Sequence, residues 1–409
     1  MTISQFKKYT PFSCQTIRCD FDKFPQLKNK TGTGDVFDLT VPRHGDLIKN
    51  MYLRFGFTPP DEIIGLTHGF VPSIHMFERF ELIVGDTVIE TLYPEFINIY
   101  YNTFIDFSKK KGNIPNLGPI HHNRDLDAVL PDDSERIIYN TPRTFVVGLP
   151  FYFSMDISQS FPLCALHFQE LIVRVHMRGL QEIVQLPLGT TSLQYESSLD
   201  SVKLTHMYMD VEYVYLGNEE FKYFSNNPHM YTFVQTQEEQ HKILQSEAST
   251  SKVFRLELDN PISELFFYIL HDNKLRTNLV DKNEIFTDDD GHPIESVSLD
   301  LDGTTYIDET VADSTFLTQI NYMLNHSSVF EHNTVTNNMY VYNYSFSCDP
   351  ESHAPTGTVN FTQVKNQNLK VNFRPVTTEV NKTLFILARS TNVIMFKDGV
   401  AQLLFKNVS

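Results

Sequence analysis

The sequence predicts an all-β protein built as two tandem β domains, each long enough for an eight-stranded sandwich, with a few short helices. Three observations carry that prediction. The dominant texture is short runs of Val, Ile, Phe, Tyr and Thr separated by Gly, Pro, Asn and Asp, the pattern of many short strands. Two-residue hairpin turns, Gly85-Asp86 and Asp302-Gly303, lie about half a chain apart. Four pairs of similar segments also occur in the same order in the two halves of the 409 residues.

In chain order, residues 1–24 read as an N-terminal arm and 25–216 as the first β domain. FDLTVPRHGDLIKNMYLRF, 37–55, is the first segment with a later counterpart. ELIVGDTVIE, 81–90, is a hairpin. LYPEFINIYYNTF, 92–104, predicts a helix, with Pro94 suited to its first turn and Phe96, Ile99, Tyr100 and Thr103 on one face. Residues 105–140 form a long loop of the kind that serves as a binding surface. FYFSMDISQSFPLCALHFQEL, 151–171, and HMYMDVEYVYL, 206–216, complete the first domain. A linker, 217–240, contains the helix NEEFKYF, 218–224, with Asn218 as N-cap and Glu219 and Glu220 placed where the helix dipole favours acids.

The second domain, 241–409, repeats the order. VFRLELDNPISELFFYIL, 253–270, is followed by a long loop at 272–295 and the hairpin SLDLDGTTYI, 298–307. YSFSCDPESHAPTGTVNFTQV, 344–364, falls on 151–171 without gaps at a constant offset of 346 − 153 = 193. That alignment puts Phe151 on Tyr344, Phe153 on Phe346, Ser154 on Ser347, Asp156 on Asp349, Pro162 on Pro355 and Phe168 on Phe361. IMFKDGVAQLLF, 394–405, pairs more loosely with 206–216.

Composition narrows the function. Thirty-three Lys and Arg against 50 Asp and Glu give a net charge of −17, which argues against direct binding of nucleic acid. The 52 Phe and Tyr, with no Trp, supply ample material for a core. Four cysteines, Cys14, Cys19, Cys164 and Cys348, without a CxxC pair, indicate neither a disulfide scaffold nor a zinc site, and a reducing compartment is expected. The lysines near the N-terminus are not followed by an apolar stretch, so no secretory signal is expected. The most apolar run, LFFYIL at 265–270, is far short of a bilayer span, and a soluble chain made in the cytosol is expected.

The stretch YVYNYSFSCDPESHAPTGTVNFTQVKNQNL, 340–369, resembles the signature of the major capsid proteins of nucleocytoplasmic large DNA viruses: a tyrosine-rich strand, then SF, then P-E-x-H-x-P-[ST]-G-x-x-N-F. Ser345, Phe346, Pro350, Glu351, His353, Pro355, Thr356, Gly357, Asn360 and Phe361 occupy it. VPRHGDLIKNMYL at 41–53, ELIVGDTVIETLYPEF at 81–96 and LPFYFSMDISQSFPLCALHFQELIVRV at 149–175 resemble the same family in the same order. The resemblance implies a double jelly roll, two tandem eight-stranded antiparallel barrels, in a structural protein of the virion. It further implies a homotrimer forming a pseudo-hexagonal capsomer that tiles an icosahedral shell, around an internal membrane and a DNA genome, beside minor capsid and penton proteins. Assembly in the host cytoplasm is part of that picture. The chain is short for the family and lacks Trp, and VIMFKDGVAQLLFKN follows the family spacing only loosely.

A search for chemistry gives no catalytic, cofactor-binding or metal residue. The 15 histidines contain no His-x-His and no His-x-x-x-His pair, so a cupin or zincin lacks its adjacent ligands. His121-His122 reads as part of a solvated loop and His353 as a hydrogen-bonding turn residue. Asp288-Asp289-Asp290-Gly291 and Asp300-Leu301-Asp302-Gly303 have glycine at the fourth place instead of the sixth of a calcium loop, so both read as turns. Lys109-Lys110-Lys111 reads as a solvated loop. Glycan acceptor triplets begin at Asn29, Asn325, Asn343, Asn360, Asn381 and Asn407, and those in predicted strands read as chance matches.

Charge is polarised along the chain. Residues 1–50 carry eight Lys and Arg against five acids, whereas 251–350 carry five against seventeen. With the capsid resemblance, this suggests acidic second-domain loops facing outward and a basic arm, with Lys7, Lys8, Arg18, Lys23, Lys28 and Lys30, facing an internal anionic membrane. Two alternatives remain: a double jelly-roll scaffolding protein of virion assembly, like that of poxviruses, and a jelly-roll carbohydrate-binding protein or metal-dependent enzyme.

Overall fold

The computed structural model describes residues 12–27, 33–58, 69–70, 74–105, 143–180, 184–185, 202–244, 250–271, 293–329, 340–352, 355–374 and 381–405. The first half supplies β1 (Ser13–Asp20), β2 (Thr33–Thr40), β3 (Leu47–Thr58), β4 (Gly69–Phe70), β5 (Phe77–Val84), β6 (Thr87–Leu92), β7 (Arg143–Gly148), β8 (Leu171–Arg178), β9 (Val184–Gln185) and β10 (Lys203–Tyr215). Two antiparallel sheets run in the orders β1-β10-β3-β7 and β2-β8-β5-β6, and β4 pairs separately with β9.

The second half supplies β11 (His229–Ile243), β12 (Ser251–Arg255), β13 (Pro261–His271), β14 (Ile294–Leu301), β15 (Thr304–Ile307), β16 (Tyr342–Ser345), β17 (Val359–Asn360), β18 (Gln367–Phe373), β19 (Lys382–Lys397) and β20 (Val400–Leu403). Its sheets run β11-β19-β13-β16 and β12-β18-β14-β15, with β17 added to β13 and β20 to β19. The two halves thus share one order, β1 answering to β11, β2 to β12, β3 to β13, β5 to β14, β6 to β15, β7 to β16, β8 to β18 and β10 to β19. This is a jelly roll repeated, as expected.

The predicted turns form where the residues allow them. Val84 pairs with Thr87 around Gly85, whose φ of +59° is the value a primed hairpin turn needs and a side chain resists. Leu301 pairs with Thr304 around Asp302-Gly303. A third hairpin of the same chemistry, Asp398-Gly399 between β19 and β20, joins Lys397 to Val400. The predicted helix at 92–104 is α1 (Pro94–Thr103), with proline at its start. It is enclosed on nearly every side, Tyr101 being buried and Tyr100 only partly, so it is not amphipathic. The linker helix is α2 (Asn218–Asn226), capped by Gly217 and not by Asn218, with Glu219 and Glu220 in its first turn as expected. A further helix, α3 (Asn321–Asn325), follows a π turn at Phe316–Ile320.

Several boundaries differ from the sequence expectation. Residues 13–20, assigned to the arm, are strand β1, paired to β10 from Ser13↔Tyr215 to Asp20↔Tyr208. Residues 229–240, assigned to the linker, belong to β11, paired along its length with β19. β1 is a polar edge strand, held by a backbone ladder and not by an apolar face, and so lacks the alternation that marks a half-buried strand, whereas β11 buries Phe233 and Ile243 but also Gln235 and Thr236, which blurs its alternation.

The repeat alignment also shifts. Phe161 exchanges backbone hydrogen bonds with Ile48 at the start of β3, and Phe361 donates to the Asn260 carbonyl at the start of β13. Both rings are fully buried, so Phe161 and Phe361 are equivalent at an offset of 361 − 161 = 200, whereas Phe168 is 80% exposed. The counterpart of 206–216 lies in the body of β19 and not in 394–405, because β19 precedes the added hairpin. Residues 383–390 of β19 are buried on both faces and therefore show no period of two.

Phe packing fills the cores that Trp would otherwise supply. In the first half Phe55 lies 5.1 Å from Phe77 edge-on and 5.4 Å from Phe145 in a stack. Phe161 against Phe396 at 5.2 Å and Tyr152 against Phe233 at 4.8 Å carry the apolar interior from one half into the other. No helix of the described residues is long and apolar enough to cross a membrane.

Candidate functional site: the junction between the two jelly rolls

Two apolar runs, one in β13 and one in β19, each contain one charge. Glu264 lies in ISELFFYILH of β13 and Arg389 in TLFILARS of β19, and the antiparallel register sets them opposite each other. Arg389 Nη1 donates to Glu264 Oε1 at 2.5 Å and to the Pro350 carbonyl at 2.8 Å. Its guanidinium lies 4.5 Å from the centre of the Phe104 ring, just beyond α1 in the other half. The second carboxylate oxygen of Glu264 accepts from Asn343 Nδ2 at 3.1 Å. His326, at the end of α3, brings Nε2 within 3.1 Å of the same oxygen, but off the line of the ring N–H, so the contact is an ion pair.

The cluster extends to the loop after β16. Glu351 Oε1 lies 3.7 Å from His326 Nδ1, and the carboxylate accepts from Ser327 N at 2.6 Å and Ser327 Oγ at 2.5 Å. The first half closes it: Phe104 meets the His326 ring edge-on at 4.9 Å, and Ser328 N donates to the Thr103 carbonyl of α1 at 3.0 Å. Burial opposes charge on His326, but Glu264 and then Glu351 outweigh it and raise its pKa to about 9. Burial likewise works against the Glu264 carboxylate, yet His326 and Arg389 hold its pKa below the ordinary range. Glu351 is lowered against burial by His326 and Ser327.

A second contact surface lies beside the first. Glu90 of β6 is enclosed and accepts from Tyr152 N at 2.9 Å, and burial pushes its carboxyl up to about 8 against the pull of that N–H and of Arg389. His167 N and Phe168 N both donate to the Gly399 carbonyl, at 2.9 and 3.1 Å, and Ala401 N donates to Gln169 Oε1 at 2.7 Å. The added β19–β20 hairpin therefore clasps the 161–169 turns of the first half.

The motif at 345–361 is a shaped turn that serves this junction. Thr356 Oγ1 donates to the Asp349 carbonyl at 2.8 Å and accepts from Asp349 N at 3.1 Å, with Ser347 bonded to the same hydroxyl. Gly357 has φ +151°, and a Cβ there would stand 2.8 Å from the Phe346 carbonyl oxygen, which explains the glycine. Asn360 Oδ1 accepts from Thr362 N at 3.2 Å and starts the turn that buries Phe361. The side chains of Glu264 and His326 have no exposed surface, so the charged cluster is a structural clasp with no access for a substrate.

The remaining candidates divide between turns and undescribed segments. Asp300 Oδ1 accepts from Gly303 N at 2.8 Å, and Asp302 accepts from Asn366 N at 2.9 Å and Lys365 N at 3.2 Å, so both are turn residues. Among the described residues no group of three His, Cys, Asp or Glu side chains could hold a metal ion. Asn343 is fully buried against Glu264 and offers no glycan site. Asn325 Nδ2 donates to the Asn321 carbonyl at 3.0 Å. Arg18 pairs with Asp20 at 2.7 Å and lies over the Tyr208 ring. His121, His122, Lys109 to Lys111, Asp288 to Gly291, His353, Lys7, Lys8, Lys28, Lys30, Asn29 and Asn407 lie outside the described residues, as do most of the loops 105–140 and 272–295.

Comparison with known proteins fits this geometry. The family described as major capsid protein N-terminus matches residues 2–217, and that described as large eukaryotic DNA virus major capsid protein matches residues 220–402. The major capsid protein of Pyramimonas orientalis virus is 23% identical, over 98% of this chain and 92% of its own. That of Phaeocystis pouchetii virus is 21% identical, over 98% of this chain and 94% of its own. Among solved structures, the PBCV-1 virus capsid aligns with a TM-score of 0.71 at 17% identity, covering 99% of both chains. The Faustovirus major capsid protein aligns at 0.66 and 10% identity, over 97% of this chain and 92% of its own. At these identities the structural likeness establishes the fold.

Proposed function

The chain belongs to the major capsid proteins of large eukaryotic DNA viruses, structural proteins of the virion shell, and from that premise we propose that it works as a homotrimeric block. Three copies of two jelly rolls give a ring of six similar units, a shape that tiles a facet while only three-fold contacts are built. The observation that carries this reading is the identical strand order of the two halves, which meet at a buried junction where Phe104 covers Arg389. Weaker contacts between the sides of such blocks would extend the lattice and receive the minor capsid and penton proteins.

The mass of the purified chain in solution tests the reading. One chain weighs 47.3 kDa, so the expected species is about 142 kDa, and a strict monomer at high concentration overturns it.

The same reading gives the chain two faces. The basic residues upstream of β1, Lys7 and Lys8, would lie inward beside an anionic membrane, and the acidic stretch 272–292 outward. Limited proteolysis of sealed particles checks this orientation: residues 1–12 survive if they face inward, and rapid loss of them rejects it.

A further inference from the structure

We propose that Phe104 and the hydrogen bond between Ser328 and Thr103 form a latch, which alkaline solution opens locally at the junction while both jelly rolls stay folded. The device belongs to one chain and does not depend on the trimeric reading.

The latch is thin. Phe104 and Ile105 are partly buried, yet the Phe104 ring lies over the Arg389 guanidinium and against the His326 ring, whose side chains are 2% and 0% exposed. A backbone bond from Ser328 N to the Thr103 carbonyl holds the end of α1 to the residues after α3. Ser327 is exposed and the Glu351 side chain beside it is 24% exposed, so solvent already stands at the edge of the cluster. Inside, Arg389 Nε has no hydrogen-bond partner among the described residues, and His326 meets both carboxylates without an aligned hydrogen bond. These groups gain hydration when the ring moves aside.

A balance of charge keeps the latch closed. Glu264 from β13 and Glu351 from the loop after β16 meet two cations, Arg389 from β19 and His326 from the end of α3. Tyr322 of α3 lies 5.3 Å from the His326 ring and stays neutral because burial raises its pKa. The first half presents Phe104, stacked on Tyr100 at 5.3 Å. Burial works against the charge on His326, but Glu264 and then Glu351 outweigh it up to about pH 9. Glu90 of β6 accepts from the Tyr152 amide and feels Arg389, and burial keeps its carboxyl protonated up to about pH 8. Above both values His326 is neutral and Glu90 is an anion. Three carboxylates then stand against Arg389 in a place closed to water, which is costly. Moving Phe104 aside hydrates them without breaking a strand ladder. The hydrogen bonds of the β19–β20 hairpin clasp run between backbone and amide groups that do not titrate here, so the halves stay joined while the latch opens.

Hydrogen exchange on the purified full-length chain reads the opening. When opening frees His326 to lose its proton at the ordinary pKa of 6.5, the open fraction rises about tenfold per pH unit from 6.5 toward 9. Rates are corrected for intrinsic exchange at each pH. Between about pH 6.5 and 8.5, protection of the Ser328 amide should then fall at least roughly tenfold, while β5 and β8 change by less than about twofold. In a folded His326→Gln variant, Ser328 protection should no longer depend on pH. Should that variant fail to fold, the wild-type slope decides alone. Unchanged Ser328 protection across the range overturns the latch. A loss of protection in β5 and β8 in step with Ser328 means unfolding of the whole chain and overturns it too, as does a folded His326→Gln variant that keeps the wild-type slope.

Discussion

Glu264, Arg389 and His326 in the second half and Glu81, Arg79 and His176 in the first are the same three side chains in different surroundings. Arg79 Nε lies 2.7 Å from Glu81 Oε1, and His176 Nε2 lies 3.1 Å from Glu81 Oε2, distances close to those of the junction cluster. Burial works against the Glu81 charge, but His176 and Arg79 outweigh it and hold its pKa at about 2. The difference is access to water. Arg79 is 32% exposed, whereas the side chain of Arg389 is 2% exposed, roofed by Phe104 from the other half. The same ion chemistry is thus half-open where Arg79 reaches water and a clasp where the two jelly rolls close over it.

The comparison breaks most visibly at Arg389. Arg389→Met leaves His326 alone to balance the two carboxylates of Glu264 and Glu351 at an enclosed site, and the expected cost is about 3–5 kcal/mol, read as a lowered midpoint in chemical unfolding. Replacing Glu264 by Leu in the same chain should recover part of that loss, since two well-packed apolar groups avoid the desolvation that the pair suffers.

The next effect is pH dependence. His326 has its pKa raised from 6.5 to about 9, so its contribution is full below pH 6.5 and is lost as pH rises through 9. Glu90, raised to about 8 from 4.5, acts in the same direction, its contribution fading between those values. Stability should therefore fall by about 3 kcal/mol from His326 between pH 6.5 and 9 and by about 2 kcal/mol more from Glu90 between pH 6.5 and 8, with His326→Gln flattening the curve. Glu264 and Glu351, both lowered, act oppositely and weaken the clasp only as pH falls below the ordinary carboxylate range. A thermal midpoint that is flat from pH 6.5 to 9 would count against the charged clasp.

The fold was legible wherever local chemistry forces it. Gly85 and the pair Asp302-Gly303 specify their turns, Pro94 starts α1, and the recurrence of segments announced two similar halves. β1 was missed because an edge strand such as SCQTIRCD is held by its partner's backbone and need not alternate, and β11 because the buried Gln235 and Thr236 beside Phe233 blur its alternation. The Asp398-Gly399 turn carried the same signal as Asp302-Gly303 and was readable as a hairpin. Glu264 and Arg389 were also readable in principle, since a single acid and a single base, each inside an apolar run, have to find each other. His326 and Phe104 were not, because only the closure of one half on the other brings them together. The capsid motif was visible as a pattern, but its role, presenting Pro350 and Glu351 to Arg389 and His326, depends on the fold.

Gly357 sharpens the contrast because the motif turn serves the buried trio and has no role at the exposed one. Gly357→Ala introduces a Cβ 2.8 Å from the Phe346 carbonyl at φ +151°, and about 1–2 kcal/mol should be lost. Hydrogen exchange should report that loss as faster exchange at Ser327 and Ser328, whose amides bond to Glu351 and Thr103, with the exchange of β5 and β8 unchanged.

Arg79→Ala should have the smallest effect. The guanidinium bridges Glu78 at 2.8 Å and Glu81 at 2.7 Å from a position open to solvent, so its Coulomb gain is screened and partly offset by the entropy of fixing a long side chain. His176 remains beside Glu81 when Arg79 is gone, which leaves the carboxylate with a partner. The expected cost is below about 1 kcal/mol, and it should shrink further in high salt, whereas the cost of Arg389→Met should be nearly independent of salt because no ions reach the junction. Unfolding midpoints of the two variants at low and high salt provide the measurement. Equal costs at the two arginines would mean that the first half does not shield the junction, and the account of the clasp would fail with it.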